Sequence, residues 1–237
     1  MLMDAIKRNS ILADTLRPTV RAIRRSQWRR RSRRVIADYL RSHSVRKLHI
    51  GADGVSLDGW LNTDIRPAPH EAYLDAAQPF PFEDGSFQYI TSEHVIEHLS
   101  YEEGLRMLRE CRRILTPGGR VRIVTPDLRV YIDMFTGTVS DQQFLADKLA
   151  ATQWPRTASR ACMILNLQLR EWGHQFIYDR VSLRESLAIA GFSNVGETVP
   201  GVSEDPNLNG VDARDQLPDR DLNAYESMVF EAWGKAD

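Results

Sequence analysis

Between Lys47 and Pro126, short apolar runs alternate with turns and end in acids or polar residues, and this constrains the fold more than any other feature. Lys47-Leu48-His49-Ile50 runs into Gly51-Ala52-Asp53-Gly54. Trp60-Leu61-Asn62-Thr63 ends at Asp64, and Ala72-Tyr73-Leu74 ends at Asp75. Phe87 to Ser92 leads into Glu93-His94. Such runs read as strands of an α/β sheet, with the polar residues gathered at their carboxyl ends.

Helix and strand signals continue along the chain. Ser100-Tyr101-Glu102-Glu103 is a capping box, in which serine and glutamate side chains satisfy amides at a helix start. The helix after it places Leu105, Leu108, Cys111 and Leu115 on one face, and Pro117-Gly118-Gly119 stops it. Val121 to Val124 reads as a buried strand ending at Thr125-Pro126. A mostly helical segment is predicted from about Leu128 to Arg170. A second capping box, Ser182 to Glu185, opens a helix that Gly191 closes. Val195–Val199 and Ser227–Ala232 read as the last two strands, with a loop at Gly201–Leu217.

A basic arm, residues 1–46, precedes the α/β region. Residues 1–47 hold 14 Lys/Arg against three acids, whereas the rest of the 237 residues holds 17 against 29. A basic arm on an acidic body is the implied arrangement. The arm reads as helical in two pieces separated at Pro18. Arg24, Arg25, Arg29, Arg30, Arg31, Arg33 and Arg34 are interleaved with Ile23, Trp28, Val35, Ile36, Tyr39 and Leu40. Such a helix is expected to dock a narrow apolar stripe on the body or on a protein partner, or to meet an anionic membrane surface. Nucleic acid fits less well, because the body is acidic. No apolar run approaches the ~20 residues of a membrane span. The expected location is cytoplasmic, peripheral at the inner membrane face. Cys111 and Cys162 lie in helical apolar patterns and read as structural thiols.

The strand ends carry the chemistry. A glycine after the first strand lets a ligand approach the backbone and leaves amides free at a helix start. An acid ending the second strand is a bidentate acceptor for a ribose diol. A further acid can accept from an adenine amino group. Gly51, Asp64 and Asp75 therefore point to an adenosine-containing cofactor. Gly-Ala-Asp-Gly is not the dinucleotide fingerprint, and neither a Gly-x-Ser-x-Gly elbow nor a Gly-Lys-Ser/Thr loop occurs. His94-Val95-Ile96-Glu97-His98 also fits the zinc pattern His-x-x-Glu-His, which sets two histidines on one helical face. Its place just after a core strand favours a pocket-rim role for His94 and packing for His98, so no metal is expected. His174, in Trp172-Gly173-His174-Gln175, is a second histidine of interest. Ser203-Glu204-Asp205-Pro206 is expected to border an acceptor site.

Three stretches, "HIGADGVSLDGWLNTDI", "YLDAAQPFPFEDGSFQYITSEHVIEHLSYEEGLRMLRECRRILTPGGRVRIVTPDL" and "HQFIYDRVSLRESLAIAGF", resemble class I S-adenosylmethionine (SAM)-dependent methyltransferases. The branch resembled is the bacterial methyltransferase-type-11-like one, often associated with cell-surface glycan pathways. The resemblance covers roughly Lys47 to Trp233 and omits the arm. It implies a doubly wound, seven-stranded mixed sheet of Rossmann-like form, with the last strand near Val229 antiparallel. Residues 47–237 then form the methyltransferase domain. It implies SAM as cofactor, contacted by Gly51, Ala52, Asp53, Asp64, Ile65, Asp75, Ala76, Ser92, Glu93 and His94. Asp53 departs from the family, which usually has a second glycine there. An acid at that position either pairs with the amino group of SAM or repels its carboxylate. His94 and His174 become candidate bases for an acceptor hydroxyl. The acceptor implied is a glycan, a lipid-linked glycan or a small molecule. The rival readings are a non-catalytic partner protein with a SAM fold and a nucleic-acid methyltransferase.

Overall fold

The computed structural model describes residues 10–137, 160–212 and 225–234. Its sheet contains β1 (Lys47–Ile50), β2 (Leu61–Asp64), β3 (Ala72–Tyr73), β4 (Phe87–Glu93), β5 (Leu115–Pro126), β6 (Asn194–Thr198) and β7 (Ser227–Trp233). The order is β3-β2-β1-β4-β5-β7-β6. Strands β1 to β5 pair in parallel, and β7 runs antiparallel to both β5 and β6. This is the doubly wound, seven-stranded mixed sheet that the resemblance implies. The order reverses at β1, which lies between β2 and β4. Such a switch point leaves a crevice beyond the carboxyl ends of the strands.

The central strands are apolar because they are covered. Leu48, Ile50, Ile90, Val121, Ile123 and Phe230 are at most 2% exposed. Helix α2 (Tyr101–Ile114) adds Met107, Leu108, Cys111 and Ile114 to the same core. Its capping box forms as expected: Ser100 Oγ accepts the Glu103 amide, and Glu103 accepts the Ser100 amide. Cys111 and Cys162 are both free thiols, and burial pushes the Cys111 thiol far above its ordinary pKa.

Arg122, in mid-β5, is fully buried. Its guanidinium meets Glu231 of β7 at 2.6 Å and Asp212 at 2.9 Å, and donates to the Val199 and Val202 carbonyls. Breaking such a buried pair typically costs ~3–5 kcal/mol, because an unpaired charge is left behind. The loop at 199–212 is thereby tied to the middle of the sheet.

Several boundaries differ from those read in the sequence. Pro117-Gly118-Gly119 does not separate helix from strand. It lies within β5, where the register against β4 jumps from Phe87↔Leu115 to Tyr89↔Arg120. Extra residues are absorbed as a bulge, which Gly118 permits by adopting φ +70°. Helix α5 (Arg180–Ile189) is capped by Asp179, with Ser182 as its reciprocal partner rather than as the cap. Aspartate caps as well as serine does, so the box moves three residues upstream. Between them lie α3 (Leu128–Thr136) and α4 (Arg160–Arg170), packed through Tyr131, Met134, Ile164 and Leu167. Residues 138–159 of the expected helical segment, and 213–217 of the expected loop, fall outside the described residues.

The arm also differs. Helix α1 (Ser10–Ser42) runs through Pro18 without a break. A proline removes one backbone donor, and a helix of 33 residues can continue past that single loss. Its carboxyl-terminal half docks on the sheet edge. Ser32 Oγ accepts the Tyr73 amide of β3 at 2.6 Å. Arg31 donates to the Ala68 and Glu71 carbonyls. Trp28 stacks on Tyr73 at 6.2 Å. The buried Tyr39 hydroxyl accepts the Lys47 amide at 2.7 Å and lies 3.0 Å from the Gly59 carbonyl. Edge strand β3 is thus covered by α1, while Arg24, Arg25, Arg30, Arg33 and Arg34 face solvent.

Candidate active site

A cleft of about 530 Å³ opens at the carboxyl ends of β1 to β4, large enough for a nucleoside-sized ligand. Gly51 lies at the end of β1 with φ +79°. A Cβ added there would stand 2.2 Å from Val95 Cγ2. The glycine is therefore demanded by a protein neighbour as well as by its backbone conformation. The Gly51 and Ala52 amides both donate to the Thr63 carbonyl, which locks the β1 turn onto β2.

Asp64 ends β2, and its carboxylate is held by backbone. Asp53 N donates to Oδ2 at 3.2 Å, and Arg66 N donates to Oδ1 at 2.6 Å. Each oxygen keeps a second lone pair, the requirement for gripping a diol. Asp53 is exposed and adopts φ +42°. Its amide is committed to Asp64, so the residue replacing the usual glycine helps orient the neighbouring acid. Asp75 follows β3, with Oδ1 accepting the Ala77 amide and Oδ2 lying 3.5 Å from the Tyr73 hydroxyl.

The facing wall comes from the segment after β4. His94 has φ +51°. Its Nδ1 lies 2.9 Å from Glu97 Oε1, and its Nε2 lies 3.3 Å from Ser227 Oγ. Glu97 is fully buried and also accepts from Thr125 Oγ1 at 3.0 Å. Burial acts to raise the Glu97 pKa. The hydrogen bond and charge of His94 outweigh it and hold the carboxyl below its ordinary value. Ile96–His98 is a single 3-10 turn. His94 and His98 consequently do not share a helical face, and the His-x-x-Glu-His zinc reading lacks the helix it needs.

Seven residues named from the sequence line the cleft: Gly51, Asp53, Asp64, Ile65, Asp75, Ala76 and His94. Ala52, Ser92 and Glu93 are not among its lining residues. Ala52 and Ser92 are buried. Ser92 sits inside the sheet between Ile50 and Ile123, where a strand residue packs rather than projects into the crevice. His174 also stands off the cleft. Its Nδ1 lies 2.7 Å from the Gln168 carbonyl, and its ring meets His98 edge-on at 4.8 Å. Burial lowers the His174 pKa. Asp205 does not border the cleft either. It faces Arg120, near the start of the parallel run of β5, at 3.6 Å.

Sequence reasoning missed Arg66, Val95, Leu99, Trp172 and Gly173 as lining residues, and gave His98 a packing role only. Trp172 and Gly173 both have positive φ, +56° and +82°. A Trp-Gly pair between two helical patterns was the one available signal. The arm was also missed as a neighbour of the site. Arg29, Ser32, Arg33 and Ile36 line a cavity with Leu74 and Asp75. Arg24, Arg25 and Trp28 line another with Ile65 and Arg66.

Residues 60–123 match the family model described as a methyltransferase domain. No curated protein matches the chain. Among solved structures, the citrinin polyketide synthase CMeT domain is 12% identical, covering 81% of this chain and 47% of that one, with a TM-score of 0.45. PigF with SAH is 13% identical over 82% and 53% of the two chains, at 0.43. An S-adenosylmethionine-dependent methyltransferase from Mesorhizobium loti is 15% identical over 81% and 94%, also at 0.43. This chain spans about half the length of the first two. With its strand order β3-β2-β1-β4-β5-β7-β6 and its antiparallel β7, the chain has a doubly wound, Rossmann-like α/β fold, and its residues 60–123 are similar to methyltransferase domains.

Proposed function

We propose that the protein transfers the methyl group of SAM to an acceptor hydroxyl. The observation that carries this is the Asp64 carboxylate, fixed by two backbone amides at the mouth of a nucleoside-sized cleft, with Asp75 on the same wall. Asp64 would take the ribose hydroxyls and Asp75 the adenine amino group. Methyl transfer is an in-line displacement at a sulfonium carbon, so alignment and exclusion of water are the protein's main contribution. Val95, Leu99 and Trp172 supply apolar wall for that purpose. His94 is the candidate base. Glu97 anchors its Nδ1 and would stabilise the imidazolium formed when Nε2 takes the hydroxyl proton.

The acceptor we favour is a hydroxyl on a glycan or small molecule carrying a negative group. Arg24 and Arg25 of the arm, with Arg66, form a basic rim that supports this choice. The outward arginines of α1 would hold the protein on an anionic membrane surface, where a lipid-linked glycan is presented. Calorimetry with SAM tests the reading. Micromolar binding is expected, and Asp64→Ala should weaken it about tenfold to a hundredfold, since one charged acceptor is worth ~1.5–3 kcal/mol. Unchanged affinity in a folded variant would refute the assignment, and no binding by the parent chain would favour the non-catalytic partner reading.

A further inference from the structure

We propose that Glu97, His98 and His174 form a binding site for one divalent transition-metal ion at the edge of the cleft. One ligand atom from each lies within 4.8 Å of the other two. Ligands of a tetrahedral zinc bound at ~2.0–2.1 Å stand ~3.4 Å apart. His98 is half-exposed, so its ring can turn to close that difference, while buried Glu97 and the Gln168-anchored His174 stay in place. The pairing was not visible in the sequence, because His174 lies far along the chain from His98.

The surroundings suit ligation. His174 Nδ1 donates to the Gln168 carbonyl at 2.7 Å, which leaves the Nε2 lone pair free to bind. That anchoring of the distal nitrogen is how ligating imidazoles are oriented. Glu97 is steadied by Thr125 and His94, one on each oxygen, and by its own backbone amide, which leaves one of the carboxylate's roughly four acceptor sites for an ion. Backbone pins the two halves together. The Gln175 and Phe176 amides both donate to the Glu97 carbonyl, and the Gln175 side chain donates to the His98 carbonyl at 2.7 Å. His98 lines the cleft beside Trp172 and Gly173, giving the ion a route in and a side open to an incoming ligand. Two imidazoles and one carboxylate select zinc, manganese, iron or cobalt over magnesium and calcium. Three protein ligands also leave a coordination position vacant, as catalytic sites do. On the methyl-transfer reading, that position would face an acceptor oxygen, and the ion would act on it as a Lewis acid.

The test uses the full chain, stripped with chelator and titrated with Co2+ and Zn2+. One Co2+ per chain is expected, with visible absorption from histidine ligation, and Zn2+ should displace it. His98→Ala and His174→Gln should each weaken binding about tenfold or more, with circular dichroism checking the fold. His174→Gln should leave SAM affinity within a few-fold, since His174 stands off the cleft. The absence of saturable one-per-chain binding, or binding that neither substitution weakens, would overturn the site. SAM calorimetry on the metal-free chain separates that result from failure of the methyltransferase reading.

Discussion

Gly51 shows how one residue can be legible for one reason and fixed by another. Its place after β1 is a sequence signal, and Asp64 and Asp75 are equally readable because Asp64 closes β2 and Asp75 follows the apolar run that contains β3. The contact with Val95 depends on β4 lying beside β1, which no local pattern states. Arg122 was unreadable in the same way: its partners lie 90 and 109 residues away. Gly51→Ala should destabilise the protein by ~1–3 kcal/mol through overpacking and the left-handed backbone. Adding Val95→Ala should recover the packing part and leave ~1 kcal/mol of backbone strain. Urea unfolding of the single and double variants measures this. A Gly51→Ala protein as stable as the parent would contradict the contact.

At the scale of elements, helix α1 changes most between sequence and structure. Its apolar stripe was readable, but its target was not. Docking on β3 depends on Ser32, a residue that carries no docking signal, accepting the amide of Tyr73 on the sheet edge. Residues 1–46 read as an arm preceding the domain at 47–237, and Tyr39 of that arm belongs to the main core. A chain beginning at His43 should therefore unfold at lower urea and bind SAM more weakly, because Tyr73 and Leu74 lose their cover next to Asp75. Urea midpoints and calorimetry on the shortened chain decide the matter. Parent-like stability and affinity would restore the separable arm. Lost vesicle binding alone would not distinguish the two, since the outward arginines leave with the helix.

At the scale of the whole molecule, two kinds of titrating group set the response to acid. His174 is held below its ordinary pKa by burial. The unfolded chain therefore takes up that proton first, from about pH 6.5 downward, and stability falls until the folded-state value is passed. Glu97, Asp179 and Asp205 are depressed carboxylates. Their contribution is full above the ordinary carboxylate pKa of about 4 and is lost as pH drops through their lower folded values. Urea midpoints at constant salt should show a first decline below about pH 6.5 and a second below about pH 4. His174→Gln should flatten the first and spare the second; a flat profile between pH 7 and 5 in the parent would contradict it. The Arg122 network bears on a different matter, the order of assembly. β7 follows every other described strand in the chain, yet it lies between β5 and β6. Asp212 and Glu231 reach the ribosome exit long after Arg122 does. A nascent chain halted before Ser227 carries a core-bound cation without its full set of counterions. Completion of this sheet accordingly waits for the last of its described strands, which is inserted between two that precede it in the chain.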